Sequence, residues 1–290
     1  MKSSITRSLL TALVLAAAPL AHAAAEPQEP FTVQVTGHGK PMILIPGMSS
    51  SAAVWDSTVA HYRENYQCYV LNLAGFAGVA PIEGPLLKQA EESLARFIEA
   101  KHLDHPVIVG HSLGGFLAMR LAADHPQQVG TLVIVDSLPA LGATQMPNAT
   151  PEQLQAMAAQ VRDNMEHNEA SHADEALRKM AQGMVSAPEN VEKVVASSKA
   201  SDRHTVNAAM YDILATDLRP ELAKIKARTL VLGTWVAFKD YAPRSAIEAT
   251  FQQQYAALAG VKIEMADSAR HFIMYDDPNW MFQRIDAFLK

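Results

Sequence analysis

Val107-Ile108-Val109-Gly110-His111-Ser112-Leu113-Gly114-Gly115-Phe116 carries a short apolar run into a glycine-rich turn and then into an apolar-periodic helix. Strand, turn and helix in that order predict a nucleophile elbow, in which Ser112 takes up strained backbone angles and projects its hydroxyl from the sheet edge. The small flanking residues Gly110 and Gly114 leave room for so sharp a turn. The helix that opens there aims free N–H groups and a positive dipole end at the same spot. A bare Gly-x-Ser-x-Gly string is weak; the strand before it and the helix after it supply the required context. Ser112 is therefore read as a nucleophile rather than as an ordinary turn serine.

Outward from this centre, strands and helices alternate, which predicts an α/β protein with a mostly parallel central sheet and helices on both faces. Phe31 to Thr36 alternates like a half-exposed antiparallel strand, and Gly37-His38-Gly39 turns it into the continuous apolar run Met42 to Ile45. Cys68 to Leu73, Val107 to Gly110, Leu132 to Val135, Thr229 to Gly233 and Val261 to Met265 read as further strands. Helices are expected over Ala52 to Asn65, Pro85 to Leu103, Phe116 to Asp124, about Arg244 to Leu258, and Pro278 to Leu289. Between Asp136 and Lys226 the pattern changes to helical spacing, with Leu154, Met157, Val161 and Met165, then Leu177, Met180 and Met184, then Val191 and Val194, then Val206, Met210 and Ile213. Residues 137–226 are expected to form an all-helical cap inserted into one domain, 24–290.

The N-terminus has the three-part layout of a secretory signal peptide: Lys2 and Arg7, the apolar run Leu9 to Leu20, and small residues at Ala21-His22-Ala23-Ala24-Ala25. Cleavage is expected after Ala23 or Ala25, which predicts a periplasmic or secreted protein. The run is shorter than the roughly 18 apolar residues of a membrane span, and no later segment qualifies, so no span is expected in the mature chain. Removing Lys2 and Arg7 with the leader takes the formal net charge from −6 to −8, a balance that disfavours nucleic acid and anionic membranes as partners. The only cysteine, Cys68, lies in an apolar run and reads as an inert core residue without a disulfide partner. His102 with His105, and His167 with His172, lack a matching carboxylate or cysteine set, so no metal site and no cofactor are expected.

These parts, in this order, resemble the α/β-hydrolase fold family with a helical cap. The resemblance covers nearly all of the mature chain and implies a glycine loop after the third strand, the elbow after the fifth, the cap after the sixth and a histidine after the last. It identifies a superfamily well and a substrate poorly, because this fold hosts many chemistries.

Ser112 needs a base, and His271, in Ala269-Arg270-His271-Phe272-Ile273, stands where the family's histidine stands. His111 is read as packing or support. The acid is open. The family's usual position, about three residues past a glycine that follows the seventh strand, holds Val236 here. Asp136, ending the strand after the nucleophile strand, is one candidate; Asp240, deeper in the loop Thr234 to Asp240, is the other. The resemblance further implies that Pro46-Gly47-Met48 forms the oxyanion loop, with backbone N–H groups of Met48 and Leu113 as donors and Gly47, Gly110 and Gly114 as supporting turn positions. Met157, Met165, Met180, Met184 and Met210 could line an adaptable apolar pocket, and Trp55, Phe76 and Trp235 are expected near its rim. The reaction expected is serine hydrolysis of a carboxylic ester of a small-molecule acyl substrate. An exported aminopeptidase, which would need carboxylates such as Glu166, Glu169 and Glu175 in the cap, and a non-catalytic ligand-binding protein of the same fold are the alternatives.

Overall fold

The computed structural model of the chain describes residues 28–167 and 174–290. The expected signal peptide, 1–23, and His172 and Glu169 lie outside the described residues.

Seven strands form one sheet in the order β1-β3-β2-β4-β5-β6-β7. They are β1 (Phe31–Thr36), β2 (Lys40–Ile45), β3 (Tyr66–Leu73), β4 (Val107–His111), β5 (Thr131–Val135), β6 (Arg228–Thr234) and β7 (Lys262–Ala266). Only β1 runs antiparallel, along β3; the remaining pairs are parallel. The elbow therefore follows the fourth strand of the described residues and the insertion follows the fifth. Each ordinal implied by the family resemblance falls by one.

The continuous apolar runs exist because both faces of the sheet are covered, so successive side chains enter different cores. Ile43, Ile45, Leu71, Ile108, Ile134 and Val231 point to one side, where they meet Leu87 and Leu94 of α2 (Leu86–Ala100) and Phe116 and Leu117 of α3 (Leu113–Asp124). Met42, Leu44, Cys68, Val109, Val133 and Leu232 point to the other, against Tyr62 of α1 (Asp56–Tyr62) and Met281 and Ile285 of α10 (Pro278–Leu289). A fully buried side chain of this size stabilises the fold by about 1.5–3 kcal/mol. Cys68 is fully buried with a free thiol, and burial pushes that thiol up to about 11.

Between β5 and β6 the described chain forms α4 (Pro151–His167), α5 (Asp174–Met184), α6 (Pro188–Lys199) and α7 (Arg203–Ala215), with no strand among the described residues. The four pack as two pairs, α4 on α7 and α5 on α6. Their apolar faces go to different cores: Ala209 and Ile213 of α7 join the α2–α3 side, whereas Leu177, Val191 and Val194 of α5 and α6 join the α1–α10 side. The chain closes with α8 (Arg244–Gln254), the short α9 (Ile273–Asp276) and α10, whose start is fixed by Pro278 and by Asp277 accepting from the Trp280 N–H.

Several boundaries differ from the sequence reading: the Pro85 to Leu103 helix runs Leu86–Ala100, the helix from Arg244 stops at Gln254 rather than Leu258, and β3 starts at Tyr66 rather than Cys68. Two further differences bear on the site. The helix after Ser112 begins at Leu113, three residues earlier than Phe116, because Gly114 and Gly115 act there as close-packing positions rather than as helix breakers. The segment expected as one helix over Ala52 to Asn65 splits into a 3-10 turn, Ala52–Trp55, followed by α1.

Candidate active site

Ser112 stands at the junction of β4 and α3 with φ 52° and ψ −121°. For a residue with a Cβ this region costs on the order of 1–3 kcal/mol, which surrounding structure must offset. The restraint is visible: the Ser112 N–H donates to the Val135 carbonyl at 3.0 Å, and the Ser112 carbonyl accepts from the Phe116 N–H at 3.0 Å. A Cβ on Gly110 would strike the Gly114 carbonyl, and one on Gly114 the carbonyls of Ile45 and Pro46. Both positions therefore need glycine for close approach, and the strain itself rests on Ser112.

The loop after β2 crosses directly over this turn. A Cβ on Gly47 would stand 2.8 Å from His111 Nδ1 and 3.1 Å from Ser112 Cβ. Among the described residues, neither the Met48 nor the Leu113 N–H is taken by a backbone carbonyl. Leu113 is the first residue of α3, where helical geometry leaves its donor free.

His271 lies in the loop between β7 and α9. Its Nδ1–H donates to Asp136 Oδ2 at 2.6 Å, and Asp136 Oδ1 accepts the Thr234 N–H at 3.0 Å. Asp136, one residue past β5, has φ 44° and anchors its own N–H on the Leu232 carbonyl at 2.7 Å. The side chains of His271 and Asp136 keep 25% and 13% exposure, so the pair is sheltered but reachable. Asp240 is exposed, carried outward beyond the 3-10 turn Val236–Phe238. The structure thus brings Asp136, and not Asp240, to the imidazole. Strand register is the reason, since β5 and β6 are parallel neighbours with Val135 opposite Leu232, and a carboxylate one residue past β5 meets the end of β6.

Ser112, His271, Asp136 and Met48 line one cleft of about 910 Å³. Among the described residues no hydrogen bond joins the Ser112 hydroxyl to the imidazole; such bonds are often long in unliganded enzymes and tighten around substrate. Thr234, unremarked in the sequence, locks the arrangement by also donating its hydroxyl to the Ala269 carbonyl.

His111 lines the cleft as well. Its ring is fully buried, 4.6 Å from the His271 ring, and its Nε2–H donates to the His271 carbonyl at 3.1 Å. Burial, reinforced by the neighbouring imidazole, holds its pKa well below the ordinary range. His111 is therefore neutral, with its proton on Nε2 and no partner for Nδ1 among the described residues.

A second group the sequence did not single out is Asp276. Its carboxylate accepts the Arg270 N–H at 2.9 Å, the Ser186 N–H at 2.9 Å and the Ser186 hydroxyl at 3.0 Å. The Phe272 N–H also reaches the Met184 carbonyl at 3.2 Å, and the Arg270 guanidinium bonds the Gln182 carbonyl. The loop that carries His271 is in this way strapped on both sides to the α5–α6 segment of the insertion.

Met48, Met165, Met180, Met184 and Met210 line the cleft, and Met157 does not. Trp55, Phe76 and Trp235, expected near the rim, are absent from its wall. Trp55 and Phe76 are core residues, and the Trp235 indole N–H is turned to Asp267 at 2.8 Å. The aromatic wall is instead Phe238, Phe272 and Tyr275. Among the described residues no group of three or more histidines, cysteines and carboxylates is placed to hold a metal ion, and no helix is long and apolar enough to cross a membrane.

Residues 42–284 match the Alpha/beta hydrolase family. The chain belongs to that family. The pimeloyl-[acyl-carrier protein] methyl ester esterase of Vibrio atlanticus is 26% identical to this alpha/beta hydrolase over 205 residues, 68% of this chain and 76% of the relative. The protein of the same name from Aeromonas hydrophila is 25% identical over 253 residues, covering 82% and 92%. Among solved structures, a hydrolase from Pseudomonas aeruginosa superposes with a TM-score of 0.72 at 20% identity, covering 89% of this chain and 94% of that one, a likeness of fold.

Proposed function

We propose that this alpha/beta hydrolase is a serine esterase that cleaves carboxylic esters through Ser112, His271 and Asp136 and an acyl-enzyme intermediate. The single observation that carries the reading is the 2.6 Å bond from His271 Nδ1 to Asp136, made beside a strained Ser112 on the wall of one cleft. With Nδ1 engaged by Asp136, the ring's other nitrogen, Nε2, is the one placed to act as base. In the proposed reaction Ser112 Oγ attacks the ester carbonyl while His271 takes its proton, and Asp136 holds the imidazolium in place. Negative charge developing on the carbonyl oxygen falls to the Met48 and Leu113 N–H groups, each such donor contributing roughly 3 kcal/mol of barrier lowering. His271 returns the proton to the departing alcohol, and water, activated by the same imidazole, releases the acid. The relatives called methyl ester esterases support ester chemistry here.

Among the described residues, Glu166 and Glu175 lie off the cleft wall and Glu166 is engaged by Asn207, so neither is placed to recognise the free amine of an aminopeptidase substrate. The N-terminal layout described above supports an exported protein, and the α4–α7 helices support a cap over the cleft.

The test is direct. A fluorophosphonate probe should label the wild type and fail to label Ser112→Ala. With a short p-nitrophenyl ester, Asp136→Asn should lower kcat by up to about 10⁴, as loss of a triad acid does elsewhere, while Asp240→Asn should stay near wild type. An unlabelled but folded wild-type protein would overturn the assignment, and faster cleavage of aminoacyl anilides than of esters would move it to a peptidase.

A further inference from the structure

The charges on the cleft wall are one-sided. Among the described residues that line it, Asp136 is the only carboxylate, and that carboxylate is already bound by His271 and Thr234. Three cations line it, namely Lys193, Lys199 and Arg203. Two have fixed partners: Lys199 pairs with Asp174 at 2.8 Å, and Arg203 donates to the carbonyls of Met165 and Glu166. Lys193 differs. Its ammonium donates to Asn190 Oδ1 at 3.1 Å and sits 5.2 Å from the centre of the Tyr275 ring, and no carboxylate of the described residues pairs with it. Tyr275 stacks on Phe272 at 5.7 Å, and Phe272 meets His271 edge-on at 5.4 Å. The ammonium is therefore three contacts from the imidazole, along a stretch of wall formed by Tyr275 and Phe272.

Resting on the esterase reading, we propose that the preferred substrate is an ester that also bears a carboxylate, separated from the scissile bond by an apolar spacer, with Lys193 as the residue that receives the anion. An aromatic ring beneath the ammonium keeps the long side chain from roaming while leaving two of its three donors free for a ligand. The apolar stretch between the cation and the reacting centre suits methylene groups and rejects charge near the ester itself. Specificity here is positional: the site measures the distance from ester to anion.

Matched substrates test this. One series pairs p-nitrophenyl alkanoates with chain-matched ω-carboxyalkanoates and their neutral methyl-capped forms; a second places the carboxylate on the alcohol side, as butyrates of ω-hydroxy acids and of their methyl esters. In at least one series kcat/KM for the anionic member should exceed that for its neutral partner, with a maximum at one chain length. Lys193→Met should cut that ratio about fivefold, the scale of a half-exposed charged contact. Lys193→Arg should preserve most of it, and Lys226→Met, an exposed cation away from the cleft, should leave it unchanged. A ratio at or below one in both series, or a ratio that Lys193→Met does not move, overturns the proposal. Hydrolysis of neutral esters without anion preference sinks this inference alone; failure of every ester together with an unlabelled Ser112 sinks the esterase reading with it.

Discussion

A neutral imidazole sealed beside a second one makes His111 the residue with the clearest thermodynamic consequence. Its folded pKa lies well below the ordinary value, so as pH falls through about 6.5 the unfolded chain takes up a proton that the native state refuses. Stability contributed by this site is complete above that pH and is lost below it, at about 1.4 kcal/mol per pH unit. Urea denaturation at pH 7 and pH 5 should therefore show the stability advantage of wild type over His111→Gln shrinking as pH falls; parallel slopes for the two proteins would mean that folded His111 takes up a second proton as readily as the unfolded chain does. At this scale the sequence was informative about Ser112 and His271, because strand-turn-helix context and position after the last strand mark them. It left Asp136 and Asp240 level, since chain order does not reveal which strand ends adjoin in space. It could place His111 only vaguely, because the partner of His111 is a main-chain carbonyl 160 residues away.

Elements were legible wherever one physical pattern dominated. The final helix was read correctly at both ends because Asp-Pro starts it unambiguously, and the insertion was read as helical because its apolar residues recur with a helical period and no strand pattern competes. The onset of α3 was misplaced because glycine has two opposite uses, breaking helices and admitting a neighbouring backbone, and only the approach of Ile45 and Pro46 to Gly114 decides between them. The strap on the histidine loop was invisible, since it joins segments 90 residues apart through one carboxylate. Removing that carboxylate should loosen the imidazole without touching it. Asp276→Ala is expected to lower kcat for a short ester about tenfold or more, given how steeply rate falls with misplacement of reacting groups. Asp276→Asn, which keeps the acceptor oxygen, should recover part of the loss, and equal rates for Asp276→Ala and wild type would show that the loop holds itself.

Across the whole molecule, buried charge joins elements on one side of the sheet in addition to apolar packing. Glu91 on α2 is nearly buried and meets Arg120 of α3 at 3.0 Å, while Asp212 on α7 lies within the field of the same guanidinium. Burial pushes both carboxyls upward, and Arg120 pulls them back. Arg120→Met should destabilise the fold by about 3 kcal/mol, because it strands a buried charge, and adding Glu91→Gln should restore much of that; urea midpoints of the single and double variants report it. The same view of the whole shows that the helices between β5 and β6 are founded twice. The α4–α7 pair rests on one core and the α5–α6 pair on the other, with the histidine loop stitched to the latter. If those two jaws part to admit a guest, the imidazole travels with one of them while the serine stays riveted to the sheet. Gaping and disarming would then be a single event, an interlock under which bystander molecules drift through an open mouth unharmed.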